Sequence, residues 1–263
     1  MIIYLINLSR SSDRLERMQE LCVDAGLELA RVEGVDGREL SADDIDKVVV
    51  GESRWGKLTP GEVGCFLGHR KCWEALVKEG AQYAVVLEDD VVFGEDVAAV
   101  FGSSDWIPKD ADIVKLEAAD ERLYLDTKAS SLKNGRRIRR LRTSHFCAAG
   151  YVVSLSCAQR LLAASETFSE PVDDFLFNVS SPLFDNLVIY QLEPAICIQQ
   201  AALFAPDSPE RIVSCIEGRE KKVRRRLGTF ERFVQSVFKR RRSVVNRTLS
   251  LIGRRERTKV GFR

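Results

Sequence analysis

Three consecutive carboxylates, Glu88-Asp89-Asp90, interrupt an apolar run that reads Tyr83-Ala84-Val85-Val86-Leu87 before them and Val91-Val92-Phe93 after them. Unpaired carboxylates are expensive to bury, and acids this close repel one another unless a cation or hydrogen-bond donors balance them. A hard divalent ion is one such counter-charge. Mg²⁺ and Mn²⁺ prefer oxygen ligands and commonly take one or two carboxylates together with the phosphates of a substrate. Side chains alternate along a strand, so Glu88 and Asp90 face one way and Asp89 the other. The competing reading is a solvated loop after a strand, and the triplet alone does not separate the two.

The elements that must position these acids follow from pattern. The β-branched stretch before Glu88 predicts a strand buried on both faces, as inside a parallel sheet, and open α/β sheets bind ligands at the carboxyl ends of such strands. Residues 2–8 predict the first strand. A helix capped by Ser11 or Ser12 runs through Leu15, Met18, Leu21 and Cys22 to Gly26, and residues 29–35 predict a second strand. That opening is the βαβ unit of an α/β fold. Thr59-Pro60-Gly61-Glu62 is a capping box with proline in the first turn, and it starts a helix that carries Phe66, His69 and Trp73 into the acidic strand. Further strands are predicted over 111–116, 149–155 and 187–192, with a hairpin over 123–141 turning at Asn134-Gly135. Helices are expected after Ser41, over 157–164, and from Pro171-Val172-Asp173-Asp174.

The 263 residues carry a formal net charge of +1 that conceals a division. Residues 219–263 hold 17 Lys and Arg against three acids, and residues 1–218 hold 23 basic against 36 acidic residues. The expected organisation is therefore an acidic catalytic domain over 1–218 and a basic tail over 219–263. In the tail, Leu227, Phe230, Phe233, Val234, Val237, Phe238, Val245, Leu249 and Ile252 recur at roughly helical spacing around Lys239-Arg240-Arg241-Arg242. A basic amphipathic helix of this kind suits an anionic bilayer, the alternatives being a surface helix packed on the domain or a disordered end. Seven cysteines, odd in number and without a C-x-x-C pair, favour reduced thiols. No stretch approaches the roughly 20 apolar residues of a spanning helix. The expected location is cytoplasmic and peripheral, on the inner face of the membrane.

Several segments in order resemble glycosyltransferase family 25, the lipopolysaccharide-type transferases that include bacterial β-galactosyltransferases. They are Ile6-Asn7-Leu8-Ser9-Arg10 with Asp13-Arg14, Val35-Asp36-Gly37, and Leu58-Thr59-Pro60-Gly61-Glu62-Val63-Gly64-Cys65-Phe66-Leu67-Gly68-His69 with Trp73. Leu87-Glu88-Asp89-Asp90-Val91, Ala149-Gly150-Tyr151-Val152-Val153 and Pro171-Val172-Asp173 complete the series. The resemblance covers roughly residues 1–200 and excludes the tail. Gly68 departs from it, because the family usually has Ser there.

The resemblance implies a GT-A-like, Rossmann-type mixed sheet flanked by helices, a UDP-sugar donor, Mn²⁺ or Mg²⁺, and inversion at the anomeric carbon. A cation at the acidic turn would neutralise charge on the leaving UDP. Asp90 is then its first ligand, and Glu88 coordinates through water or holds the ribose; Asp89 supports the neighbouring backbone. Inversion needs a base for the acceptor hydroxyl, and Asp173 and Asp174, at a helix start whose dipole favours the ionised form, are the candidates. The alternatives for them are helix capping and acceptor binding. Asn7, Arg10, Arg14, Asp36, Gly37, Glu62, His69, Glu88 and Asp89 are the donor-site candidates. Arg10 and Arg14 also read as a surface pair, Glu62 as a capping residue, and His69 as core. Tyr151, Arg137 and Arg140 are candidates for the acceptor, and His145 is read as structural. The expected reaction moves a hexose, most simply galactose from UDP-galactose, to a glycolipid or oligosaccharide of the lipopolysaccharide or lipooligosaccharide core. Phosphohydrolases of the haloacid type also use acids at a strand end, but they need Asp where Glu88 stands. A non-catalytic module binding membrane or nucleic acid through its tail leaves the acidic strand end unexplained, and no nucleic-acid partner is expected.

Overall fold

The structure, a computed structural model, describes residues 1–118, 120–204, 208 and 229–263. The chain opens as the expected βαβ unit of β1 (Ile2–Asn7), α1 (Ser12–Asp24) and β2 (Ala30–Glu33), with β1 and β2 parallel and Asn7 opposite Glu33. Ser41 caps α2 (Ala42–Val48) by accepting the Asp44 N–H. The capping box starts α3 (Pro60–Glu79), and Gly80 ends it at φ 71°, a left-handed conformation that suits glycine. β3 (Tyr83–Glu88) then lies parallel to β1.

Downstream come β4 (Val91–Phe93), α4 (Val97–Phe101), β5 (Ile113–Lys115), the hairpin of β6 (Arg122–Ser131) and β7 (Arg137–Leu141), and β8 (Gly150–Ser154). α5 (Leu155–Ala164), α6 (Val172–Phe177), β9 (Ile189–Glu193), β10 (Cys197–Gln199), α7 (Gln200–Leu203), α8 (Thr229–Leu251) and β11 (Arg255–Lys259) complete the described elements. Nine strands form one mixed sheet in the order β11-β6-β7-β9-β5-β8-β3-β1-β2, and β4 pairs with β10 beside it. The mixed α/β architecture is thus the expected one, with β3 parallel to β1 on one side and antiparallel to β8 on the other.

The alternation along β3 sorts it between two cores. Ala84 and Val86 pack with Phe66, Trp73, Leu76 and Leu161 on the α3/α5 face, and Tyr83, Val85 and Leu87 pack with Leu5, Met18 and Phe101 on the other. Continuing the parity sends Glu88 toward α3 and Asp89 toward α1.

The tail departs from the expectation of a separate appendage. The boundary at 218 and Leu227 lie outside the described residues. The last segment is sheet rather than tail: β11 pairs antiparallel with β6, and Val260 is buried. Its alternating charges find partners, Lys259 on Asp120, Arg255 on Asp126, and Glu256 on Arg139. α8 contacts β11, and Arg242 pairs with Asp185 of the body at 2.6 Å. The six described cysteines are free thiols, and Cys215 lies outside the described residues.

Candidate active site

A cavity of about 310 Å³ opens at the carboxyl ends of β1, β2 and β3. Ile6, Leu8, Val35 and Leu40 supply an apolar wall, and Glu88, Asp89 and Asp90 sit opposite. Its width depends on glycine. A Cβ on Gly37 would lie 2.1 Å from the Pro60 carbonyl oxygen, and one on Gly64 would lie 2.3 Å from that of Val35. The first turn of α3 therefore rests directly on the backbone that follows β2.

Asp36 and Gly37 line this cavity together with Arg10, Arg14 and His69. Asp36 caps a short 3₁₀ turn through the Arg38 N–H and receives the guanidinium groups of Arg38 at 2.8 Å and Arg10 at 2.6 Å. Hydrogen bonds from Arg38 first, with Arg10 adding to them, hold its carboxyl well below the usual range. Asn7 lies beneath the acids: Nδ2 donates to Asp89 Oδ2 at 2.8 Å and to the Ser11 carbonyl at 2.9 Å. Arg14 donates to Asp89 Oδ1 at 3.2 Å. Arg17, which the sequence reading passed over, donates to the Asp89 and Val91 carbonyls at 2.8 and 3.0 Å. Asp89 thus pins the acidic turn to β1 and α1.

Glu88 ends a relay that runs through the α3 face. Trp73 Nε1 donates to the Tyr151 hydroxyl at 2.9 Å, that hydroxyl lies 3.0 Å from His69 Nδ1, and His69 Nε2 lies 3.1 Å from Glu88 Oε1. Indole N–H can only donate, so the tyrosine oxygen accepts there and its proton goes to Nδ1. The imidazole then carries its own proton on Nε2, facing the carboxylate. Burial first, with the nearby charge of Lys115, lowers the His69 pKa to about 3, so the ring is neutral. Tyr151 is fully buried in this relay and does not line an acceptor cleft, contrary to expectation. Gly150 beside it instead admits the Cys197 thiol, which a Cβ would meet at 2.3 Å.

Asp90 is 6% exposed, and Gln199 Nε2 donates to its Oδ2 at 3.1 Å. Among the described residues, its buried Oδ1 has no hydrogen-bond partner. Burial, then the charges of Glu88, Asp89 and Glu117, push its carboxyl well above the usual range. An orphaned carboxylate oxygen among further acids is what a hard cation would satisfy, so Asp90 and Glu88 fit Mn²⁺ or Mg²⁺. Cys65, His69 and Glu88 bring ligand atoms within 4.8 Å of one another, a softer set, but the proton on His69 Nε2 already bridges two of them.

Behind the triplet lies a charged group that the sequence reading missed. Lys115 Nζ donates to Glu117 Oε2 at 2.6 Å and to the Cys147 carbonyl at 2.7 Å. Cys147 has φ 64°, an uncommon conformation for a residue with a side chain, and its N–H donates to Asp173 Oδ2 at 3.2 Å. Asp173 Oδ1 accepts the Asp174 N–H at 2.9 Å. Asp174, the other candidate base, is anchored: Arg54 donates twice (3.1 and 2.9 Å), Trp55 Nε1 at 3.0 Å and Asn178 Nδ2 at 2.6 Å. Beside it, burial and the Asp174 charge push Glu170 up to about 7. Neither Asp173 nor Asp174 lines the cavity.

Three further expectations change. Glu62 is 2% exposed and accepts from the Thr59 N–H at 2.8 Å, so it caps α3 and does not line the cavity. Arg137 pairs with Glu193. Arg140 donates to the Leu187 carbonyl at 2.8 Å and borders a different cavity. His145 is structural, as read: it is buried, and burial lowers its pKa to about 3.

A family model described as glycosyltransferase family 25 (LPS biosynthesis protein) matches residues 1–176. The lipooligosaccharide biosynthesis protein lex-1 of Haemophilus influenzae is 31% identical over 176 residues, 63% of this chain and 57% of that protein. Procollagen galactosyltransferase 1 of Danio rerio is 31% identical over 186 residues, 66% of this chain and 30% of that protein. The lacto-N-neotetraose biosynthesis glycosyltransferase LgtB of Neisseria meningitidis is 26% identical over 208 residues, 75% of this chain and 74% of that protein. The chain spans about three fifths of the length of the Haemophilus proteins it matches.

Proposed function

The chain belongs to glycosyltransferase family 25, and from that premise we propose that it transfers a hexose, galactose from UDP-galactose, with inversion to a saccharide of the lipopolysaccharide or lipooligosaccharide core. The observation that carries the reading is the cavity whose acidic side presents Asp90 with an unpartnered buried oxygen. Its apolar wall suits a nucleobase, and the Asp36-Gly37 turn beneath it suits a ribose. Galactose follows the name of the procollagen galactosyltransferase, and the core acceptor follows the names of the Haemophilus relatives.

Asp90 and Glu88 are the residues that would hold Mn²⁺ or Mg²⁺. When bound, the ion supplies positive charge to a leaving diphosphate. The relay from Trp73 through Tyr151 and His69 orients the Glu88 carboxylate, and Asn7, Arg14 and Arg17 fix the turn that carries all three acids. Asp173 is the base we assign to the acceptor hydroxyl. Its two backbone N–H donors orient the carboxylate. The acceptor face adjoins a membrane: on α8, Val237, Val244 and Leu251 are exposed beside exposed Arg240, Arg241 and Arg247, a composition suited to an anionic cytoplasmic leaflet.

Release of UDP from UDP-galactose, UDP-glucose and UDP-N-acetylglucosamine, each with and without Mn²⁺, tests the reading. The expected result is Mn²⁺-dependent release that is fastest with UDP-galactose and is abolished by Asp90→Asn. Full activity in that variant would remove Asp90 as the ligand.

A further inference from the structure

A second cavity, of about 580 Å³, lies between the β6/β7 hairpin, the segment that follows α6, and α8. Five arginines border it: Arg140 and Arg142 from the hairpin side, Arg241 and Arg242 from α8, and Arg255 from β11. Two carboxylates answer them. Asp126 bridges Arg142 at 2.6 Å and Arg255 at 3.3 Å, and Asp185 takes Arg242 at 2.6 Å. Among the described residues, Arg140 reaches the Leu187 carbonyl through Nη2 and the Tyr190 ring, and its buried Nη1 has no hydrogen-bond partner. Arg241 forms no ion pair with a described residue. Among the described residues the cavity therefore holds a surplus of fixed positive charge. Burial, and then the charge of Arg142, lowers the proton affinity of both Arg140 and Arg255, so these cations crowd one another.

Crowded guanidinium groups with an unmet donor are relieved by a multiply charged oxyanion, and planar guanidinium groups match phosphate oxygens in pairs. The volume admits more than an ion. Leu141, Val179 and Ile189 offer an apolar floor, and Ser180 and Ser181 add hydroxyls. The segment that lines it, 179–187, directly follows α6, whose first turn carries Asp173. We propose that this cavity binds a phosphomonoester carried by the acceptor saccharide, apart from the donor cavity. The word acceptor rests on the glycosyl-transfer reading; the phosphate site does not.

Calorimetric titration with glucose 6-phosphate, glucose and inorganic phosphate tests the site. Glucose 6-phosphate binds the wild-type protein more tightly than either of the others, and raising the salt concentration weakens it. Arg241→Glu, at an exposed position, and Arg140→Gln, which keeps a donor for the Leu187 carbonyl, each weaken binding by about tenfold. Unaltered affinity in Arg241→Glu overturns the proposal, as does loss in Arg10→Ala with Arg241→Glu unaffected, which moves the ligand to the donor cavity. Inorganic phosphate binding as tightly as the sugar phosphate overturns the saccharide, and displacement of glucose 6-phosphate by phosphatidylglycerol vesicles assigns the site to lipid headgroups instead. With a transferable acceptor, Arg241→Glu raises KM for the phosphorylated form and narrows its advantage over the dephosphorylated form. A wild-type protein that transfers no sugar sinks the glycosyl-transfer reading, while the titration still decides the phosphate site.

Discussion

Asp174 receives Arg54 through two nitrogens, together with Trp55 and Asn178, so removing its carboxylate strands a mostly buried guanidinium. Breaking such a pair from one side costs about 3 kcal/mol. Asp174→Ala should therefore lower unfolding free energy in urea by about that amount, whatever it does to rate. Asp173→Asn keeps an acceptor for one backbone N–H, so it should lose turnover with about 1 kcal/mol or less of stability. Equal stability losses in the two variants would remove Asp173 from its catalytic role. The histidines give a second residue-scale test, because the chain has only two and both are buried with pKa values lowered to about 3. Their folded values lie below the unfolded value of about 6.5, so their contribution to stability is complete above that pH. It is lost as pH falls from about 6.5 toward 3, by at most about 1.4 kcal/mol per pH unit for each ring. Imidazole proton resonances that stay unshifted from pH 7.5 to 5 are the expected observation, and titration near 6.5 in the folded protein would contradict it.

At the scale of elements, the donor cavity is a gap between the α3 amino end and the β2 exit, held open by backbone contact at Gly37 and Gly64. Gly37→Ala drives a methyl group into the Pro60 carbonyl, and because backbone rather than a flexible side chain is in the way, α3 must move. Overpacking of this kind costs about 1–3 kcal/mol. The variant should show that loss in denaturant and weaker UDP binding by calorimetry; wild-type values for both would mean the contact is soft. The capping box, the βαβ opening, the hairpin turn and the opposite facing of Glu88 and Asp89 were all legible in sequence, because each rests on contacts within a few residues or on a strand's period; β3 ends at Glu88, so that period does not carry to Asp90 in the turn. Lys115 and Glu117 were not. Two charges at the end of a short strand resemble any solvated strand end, and they become part of the site only because β8 lies between β5 and β3. Tyr151 was misread for a related reason. Its burial comes from packing across the sheet, and the close approach that Gly150 permits beside it is to the Cys197 thiol. Arg136, just past the hairpin turn, is likewise drawn inward: it is fully buried and donates to the Pro194, Ala195, Glu95 and Arg263 carbonyls.

For the whole molecule, an acidic body with basic residues gathered at one end proves to be only partly a matter of two regions, since β11 completes the edge of the main sheet. Arg255-Glu256-Arg257-Thr258-Lys259 is too charged to read as a strand from sequence, but charged residues are common on edge strands, where they discourage further pairing. Deleting the tail would consequently disturb the sheet together with any membrane contact. Surface substitutions separate the two. Val244→Glu with Leu251→Glu, both on the exposed side of α8, should abolish flotation with phosphatidylglycerol vesicles while urea unfolding stays within about 0.5 kcal/mol of wild type. Undiminished flotation would dismiss α8 as the contact. The pairing of β11 with β6 also joins residues 255–259 to residues 122–126, across about half of the sequence. During synthesis, the β6 edge emerges first and waits for its partner until residues 255–259 have been made. At about 5–20 residues per second, that is a delay of several seconds to half a minute, in which a row of unpaired backbone groups faces the crowded nascent environment.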